Sequence, residues 1–190
     1  MPPLAVSASR AAAGGHPAAV VTLAGPPAAM AVQDLAAALA AVAEAAFGAP
    51  PWNEPAGQAR MAVKRMLDDA GRTGFVLALA RAPRGAPLDG FAYGLPRWHL
   101  AALADRHVPG GAAPFEFREL AVRPAAQGKG IGTALHDGVI AASGPQRRWL
   151  ATHAGARPAL SLYRNRGWHA ARLIPGSADG SMRLLMTRAR

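Results

Sequence analysis

The chain contains no cysteine. This absence excludes disulfides, a thiolate nucleophile, iron–sulfur ligation and the usual structural zinc sites. Any catalysis must therefore use oxygen or nitrogen groups. The six histidines show no metal-ligand spacing, and we expect His136 and His153 to be core or surface residues. The sequence therefore predicts no metal.

The sequence also lacks a long uninterrupted apolar run. Its longest alanine-rich stretch, residues 28–47, is interrupted by Gln33, Asp34 and Glu44 and is too weakly apolar to span a membrane. Residues 1–18 are rich in alanine and proline, lack the pattern of a signal peptide, and are expected to be disordered. We therefore expect a cytoplasmic protein with no membrane contact and one domain over residues 19–190.

Lysine is scarce: only Lys64 and Lys129 occur. The formal net charge of +10 therefore comes mainly from arginine. The arginines are scattered along the sequence and form only short pairs such as Arg147 and Arg148. A dedicated nucleic-acid surface requires basic residues clustered on one face. The distribution instead favours a basic groove for a polyanionic small molecule.

Apolar periodicity and turn residues predict a mixed order of strands and helices, in which the first strand is followed by two helices and then by three strands. Residues 97–113 are a polar, glycine-rich excursion in which part of the chain is expected to be helical. The predicted strands are 19–25, 74–82, 88–96, 115–122 and 147–154, followed by two at the carboxyl end, and the predicted helices are 31–48, 58–71, 131–142 and 157–167.

Three glycines, Gly128, Gly130 and Gly132, follow the strand that ends near Val122 and open the next helix. This layout exposes consecutive backbone N–H groups at the positive end of a helix, where a phosphate group binds well. A P-loop is excluded because Gly130 follows Lys129, and the dinucleotide fingerprint is excluded because a glycine is missing at its last position.

Two segments together, ELAVRPAAQGKGIGTALHDGVI and PALSLYRNRGW, resemble the GCN5-related N-acetyltransferase (GNAT) superfamily. The resemblance covers residues 30–190 in element order and is sharpest over 116–168. It implies an α/β fold whose mixed, mostly antiparallel sheet is splayed near Val122 and flanked by helices on both faces. The family's acetyl-CoA motif, Arg/Gln-x-x-Gly-x-Gly/Ala, is represented by Gln127, Gly128, Lys129, Gly130, Ile131 and Gly132.

By this resemblance, the glycine turn holds the pyrophosphate of coenzyme A, and the strand before it binds the pantetheine arm and the acetyl oxygen. Acetyl-CoA is then a co-substrate. The implied cofactor-binding residues are Leu120, Ala121, Val122, Arg123, Gln127, Gly128, Lys129, Gly130, Ile131, Gly132 and Thr133.

Acetyl transfer to an amine requires a neutral nucleophile and a proton for the departing thiolate. The family motif LY-x-x-x-G-[FW] places Tyr163 beside the thioester sulfur as the candidate general acid, whereas the structural alternative packs Tyr163 with Leu160 and Trp168. Glu116 and Glu119 are both candidates for the base. Their odd separation places them on opposite faces of a regular strand, and each has a salt bridge as its structural alternative.

The sequence indicates less clearly which residues bind the amine acceptor. By resemblance, the loop with Trp52 and Glu54 contributes to the wall of the acceptor site. Ala156 stands where many relatives carry an asparagine, so one polar contact to the cofactor is lost or replaced. The expected activity is N-acetyl transfer from acetyl-CoA to a primary amine, with a non-catalytic acyl-CoA-binding module as the alternative. The acceptor, the acyl-chain preference and a homodimer are left open.

Overall fold

A computed structural model of the chain describes residues 7–10, 19–55, 57–81, 87–105, 111–176 and 181–189. The chain forms two compact units, which we call unit 1 (Met1–Leu95 and Glu119–Gly144) and unit 2 (Pro96–Arg118 and Pro145–Arg190). The described strands are β1 (Ser7–Arg10), β2 (Ala19–Ala24), β3 (Val76–Arg81), β4 (Leu88–Pro96), β5 (Phe115–Val122), β6 (Arg148–His153), β7 (His169–Pro175) and β8 (Met182–Arg188). The described helices are α1 (Pro26–Asp34), α2 (Ala36–Phe47), α3 (Gln58–Ala70), α4 (His99–Leu103), α5 (Ile131–Ala142) and α6 (Arg157–Arg164).

Unit 1 contains the antiparallel strand series β1-β2-β3-β4. The first five residues of β3 are buried, which indicates that both faces of this strand are covered. On one face, side chains of α1, α2 and α3 form the main hydrophobic core with the strands. Its members include Val32, Leu39, Met66, Leu77, Phe91 and Tyr93.

Helix α5 is packed closely against the sheet of unit 1. A Cβ atom added at Gly138 would lie 2.5 Å from Thr22 Oγ1 and 3.9 Å from Ala78 Cβ. A Cβ atom added at Gly90 of β4 would lie 2.7 Å from the Ala121 carbonyl oxygen. Both glycines are therefore required by close approach, and together they fix α5 and β5 against their neighbours.

Unit 2 is built on the strand order β5-β6-β8-β7. The β6–β8 and β7–β8 pairings are antiparallel, whereas β5 pairs with β6 in parallel over Phe115–Phe117 only. No pairing of β5 with β6 is described beyond Phe117, although β5 continues to Val122. This early loss of pairing agrees with the splayed strands implied by the resemblance. The predicted fold class, a mixed and mostly antiparallel sheet with helices, is confirmed.

Two expectations are corrected by the structure. The helix predicted over 31–48 is two helices, because α1 already begins at Pro26, where proline suits the first helical turn, and Leu35 leaves helical geometry with φ −108°. The first 18 residues were expected to be disordered, but Ser7–Arg10 form β1, whose extended backbone pairs with β2.

Within the described ranges, no single helix is long and apolar enough to cross a membrane, and α1 and α2 meet that criterion only as a pair bent by 75°.

Gly138→Ala tests the close packing of α5. Alanine normally stabilises a helix by about 1 kcal/mol relative to glycine. Here we expect the opposite sign, a loss of about 1–3 kcal/mol in the free energy of unfolding, because the added methyl group overlaps Thr22. Urea unfolding of both proteins measures this difference.

The matched control is Gly71→Ala after α3, where φ is −79° and no atom lies within 4 Å of the added Cβ. This change is expected to be neutral or slightly stabilising. Equal effects of the two substitutions would contradict the close packing of α5.

Candidate functional site

The glycine turn leads from the end of β5 into α5 through a single 3₁₀ turn, Pro124–Ala126. Gly128 and Gly130 have φ values of +75° and +78°, which favour glycine. A Cβ atom at either position would meet nothing within 4 Å, so the turn needs glycine for its backbone conformation and has open space beside it. Gly132 lies inside the first turn of α5.

Three side chains in and before the glycine turn donate hydrogen bonds to backbone carbonyls. Gln127 Nε2 donates to the Val122 carbonyl at 2.9 Å, and Lys129 Nζ donates to the Ala125 carbonyl at 2.9 Å. Arg123 Nε donates to the Leu88 carbonyl on β4 at 2.7 Å. The three polar side chains expected near coenzyme A therefore also hold the turn in shape.

The amino end of α5 presents its N–H groups without a competing cap. The Ala134 N–H donates to the Gly130 carbonyl at 3.0 Å, so the N–H groups of Ile131, Gly132 and Thr133 precede the first bond of the helix. Among the residues that the structure describes, no side chain caps α5, and no acidic residue lies in its first turn. The helix dipole and these donors together favour an anion at this place.

The end of β5 combines a half-buried and a buried part. Leu120 is half-buried, whereas Ala121 and Val122 are buried. Ala121 belongs to the hydrophobic core of unit 1, so its small side chain is explained by packing, and its contact with a ligand stays a prediction.

Glu119 faces α3. Its Oε1 accepts from Arg65 Nη2 at 3.4 Å, and its side chain is 13% exposed, against 49% for Arg65. Sequence reasoning did not assign Arg65 to the site, because 54 residues separate the two partners and no local motif links them.

Glu116 is fully buried and faces α4. Its Oε1 accepts the Leu100 N–H at 2.6 Å, near the amino end of α4, and its Oε2 accepts from Arg118 Nη1 at 3.3 Å. Both carboxylate oxygens are thus used in holding α4 and Arg118. This arrangement is the salt-bridged alternative considered from the sequence.

Tyr163 lies on the buried face of α6. Its ring makes edge contacts with Phe117 and Trp168, with centroid distances of 6.2 and 6.1 Å. Burial raises the pKa of Tyr163 above the ordinary value of 10.0. The phenol therefore stays protonated at physiological pH and is able to donate a hydrogen bond.

The acceptor-wall candidates lie in an ordered loop after α2. The Trp52 ring packs edge-on against Phe47 with a centroid distance of 5.4 Å, and the Glu54 N–H donates to the Phe47 carbonyl at 2.9 Å. Both side chains are half-buried.

Two of the described histidines, His136 and His153, make contacts that suit a structural role. His136 is fully buried, with Nδ1 at 2.7 Å from Asp137 Oδ1, and His153 Nδ1 accepts the Gly155 N–H at 2.9 Å. The described residues contain no group of His, Asp and Glu that could hold a metal ion.

The structure thus gathers the predicted site residues in two sets. Unit 1 holds the glycine turn, the end of β5, Glu119 and the Trp52 loop, and unit 2 holds Glu116 and Tyr163.

Comparisons with known proteins agree with this fold. A family model described as "Acetyltransferase (GNAT) domain" matches residues 74–170, just over half of the chain. No curated protein sequence matches the chain.

Several solved structures are similar. One from Corynebacterium glutamicum, described as histone acetyltransferase HPA2 and related acetyltransferase, has a TM-score of 0.63 and 22% identity, covering 88% of this chain and 94% of that one. The ribosomal-protein-S18-alanine N-acetyltransferase from Escherichia coli has a TM-score of 0.58 and 18% identity, covering 89% and 92%. The PaiA N-acetyltransferase from Thermoplasma acidophilum, solved in complex with coenzyme A, has a TM-score of 0.56 and 17% identity, covering 84% and 94%. At these identities the likeness shows the fold alone.

Glu116→Gln tests the structural role of the buried carboxylate. The amide keeps an acceptor for Leu100 but loses the ion pair with Arg118, so we expect the free energy of unfolding to fall by about 1–3 kcal/mol. Chemical denaturation measures it. The matched control is Glu44→Gln on the exposed side of α2, expected to change stability by less than about 0.5 kcal/mol. A loss no larger than that of the control would contradict the role.

The raised pKa of Tyr163 also predicts how stability depends on pH. Below pH 10 the phenol is protonated in both the folded and the unfolded chain and contributes no slope. Above pH 10 the unfolded chain releases the proton while the folded chain keeps it, so the free energy of unfolding falls by up to about 1.4 kcal/mol per pH unit.

Denaturant unfolding between about pH 9 and pH 11 measures this slope. Tyr163→Phe should show a shallower decrease than the parent above pH 10. Identical slopes in the two proteins would contradict the burial of the phenol.

Proposed function

Because the chain belongs to the GNAT acetyltransferase family, we propose that it transfers an acetyl group from acetyl-CoA to the nitrogen of a primary amine by direct attack. The observation that carries the proposal is the glycine turn, in which left-handed Gly128 and Gly130 lead into the uncapped amino end of α5. The family match covers this turn and the Tyr163 motif. The coenzyme A complex of the Thermoplasma acidophilum structure supports the same co-substrate class.

In this proposal the pyrophosphate of acetyl-CoA accepts hydrogen bonds from the N–H groups of Ile131, Gly132 and Thr133. The positive end of α5 and the cation of Lys129 offset the charge of the two phosphates. Arg123 contributes positive charge while its Nε remains on the Leu88 carbonyl. Acetyl-CoA supplies an activated thioester, and every other part of the reaction depends on groups of the protein.

Tyr163 stabilises the departing sulfur. An ordinary thiol has a pKa of about 8.5, below that of a buried tyrosine, so complete transfer of the phenolic proton to the thiolate is uphill. A hydrogen bond from the neutral phenol to the developing thiolate is therefore the main contribution of Tyr163. This refines the role of general acid suggested by the motif.

Glu119 is the base in this proposal. A primary amine is mostly protonated at neutral pH and must lose a proton to attack. Both oxygens of Glu116 accept from Leu100 and Arg118, and its side chain is fully buried, whereas Glu119 is partly exposed. Arg65 Nη2 donates to Glu119 Oε1 at 3.4 Å and so orients the carboxylate.

A non-catalytic acyl-CoA-binding module is the second candidate. It is favoured by one observation: Glu116 and Tyr163 are both accounted for by their structural contacts with α4 and with the Phe117 and Trp168 rings. Under this alternative the glycine turn binds the coenzyme but no acetyl group is transferred.

The test is thiol release from acetyl-CoA across a panel of amines, with coenzyme A affinity measured by calorimetry. We expect turnover on at least one amine, a loss of about a hundredfold or more in kcat for Tyr163→Phe, and unchanged affinity for coenzyme A. The matched control is Tyr93→Phe, which removes the other tyrosine hydroxyl from the core of unit 1 and should leave kcat unchanged.

Three other outcomes have distinct meanings. Binding of coenzyme A without turnover on any amine would favour the binding module. Equal loss of kcat in the two tyrosine variants would contradict the role of Tyr163. Absence of coenzyme binding would contradict the glycine-turn site and the proposal with it.

A further inference from the structure

Strand β7 differs from the other strands in its exposure. Six of its seven residues are exposed and Ile174 is half-buried, so β7 has no buried residue. Every other strand whose side chains are described buries at least one residue. Among the described strands β7 pairs with β8 alone, at the end of the strand order. Its second edge therefore presents backbone N–H and C=O groups to solvent.

The β7–β8 hairpin has an apolar face. Leu173 is paired with Leu184 and Pro175 with Met182, which places the four side chains on one face. Leu173 is 54% exposed and Met182 is 42% exposed. Two large apolar side chains next to an unpaired strand edge are a feature of surfaces that bind another chain.

The opposite face of the hairpin carries two arginines, Arg172 and Arg183, beside the apolar Ile174 and Leu185. Ile174 is paired with Arg183, and Arg172 lies two residues before Ile174 on the same face. The guanidinium of Arg172 is bonded to Asp105 at 2.7 Å and to the Leu103 carbonyl at 3.2 Å. A segment that added to β7 would therefore meet apolar side chains on one face and arginines on the other.

Net charge is distributed very unevenly between the two units. Unit 2 contains twelve arginines and three acidic residues, a net charge of +9, whereas unit 1 contains nine basic and eight acidic residues, a net charge of +1. The two carboxylates described in unit 2, Glu116 and Asp105, are already bonded to Arg118 and Arg172. The excess positive charge of unit 2 thus favours an acidic partner.

Two other occupants fit the surface less well. A symmetric dimer formed through β7 would place the same basic unit against itself, which is repulsive. Single-stranded nucleic acid needs exposed aromatic rings for stacking, but the described aromatic residues of unit 2 are buried except for half-buried Trp98.

We propose that the β7 edge of unit 2 binds an extended, acidic polypeptide segment, which adds to the sheet as a further strand. Backbone hydrogen bonds along β7 hold the segment. Its apolar side chains lie against Leu173 and Pro175, and its carboxylates lie on the face that carries Arg172 and, one strand further in, Arg183. The inference concerns a binding surface and does not depend on acetyl transfer.

The test is fluorescence anisotropy with a labelled peptide of about ten residues in which valine and glutamate alternate. A second peptide has the same charge, but its central valines are replaced by proline, so it cannot form a strand. We expect the first peptide to bind about fivefold or more tightly than the second, and a valine–lysine peptide not to bind. Equal binding of the two acidic peptides would overturn the strand-addition mode.

The variant Leu173→Glu locates the surface. It should weaken binding of the valine–glutamate peptide by about fivefold or more. The matched control Met30→Glu places the same charge at a 62% exposed methionine on α1 and should leave binding unchanged. Should Leu173→Glu not fold, as judged by thermal unfolding, Leu173→Gln takes its place. Unchanged binding in the Leu173 variant, tighter binding of a labelled oligothymidylate, or self-association through β7 would each overturn the proposal.

Discussion

The packing of α5 against the sheet of unit 1 is the constraint on which the candidate cofactor site depends. Gly138 allows the helix to approach Thr22, and Gly90 allows β4 to approach the Ala121 carbonyl. These contacts fix the carboxyl end of β5 and the amino end of α5. The turn between them is short, so its direction follows from the two fixed ends and from the left-handed Gly128 and Gly130. The N–H groups offered to a phosphate are therefore positioned before any ligand binds.

Burial determines how the proposed catalytic groups differ. Glu116 and Glu119 lie three residues apart on one strand, yet Glu116 is bonded to α4 while Glu119 is bonded to a half-exposed arginine of α3. Burial keeps the Tyr163 phenol protonated, which suits the hydrogen-bond donation proposed for it. Carboxylates on β5 and a tyrosine on α6 could each be structural or catalytic. The contacts around each side chain decide which of these roles we propose for it.

Local sequence patterns predicted much of the fold. β4, β5 and α5 were predicted with their observed bounds, because alternation and glycine signals are strong there. The break at Leu35 was missed because α1 and α2 share one continuous apolar pattern. The Arg65–Glu119 pair and the exposed β7 edge depend on tertiary packing, which periodicity does not encode. The charge asymmetry became visible only when residues distant in sequence were assigned to the same unit.

The most direct test of the glycine-turn site is amide hydrogen exchange of the protein with and without acetyl-CoA, followed by mass spectrometry at peptide resolution. The account predicts that saturating acetyl-CoA slows exchange in peptides covering residues 127–133, by about tenfold or more. Peptides covering β7, at residues 169–175, should exchange at the same rate in both conditions. Unchanged exchange over residues 127–133 in protein shown by calorimetry to bind the coenzyme would contradict the central claim.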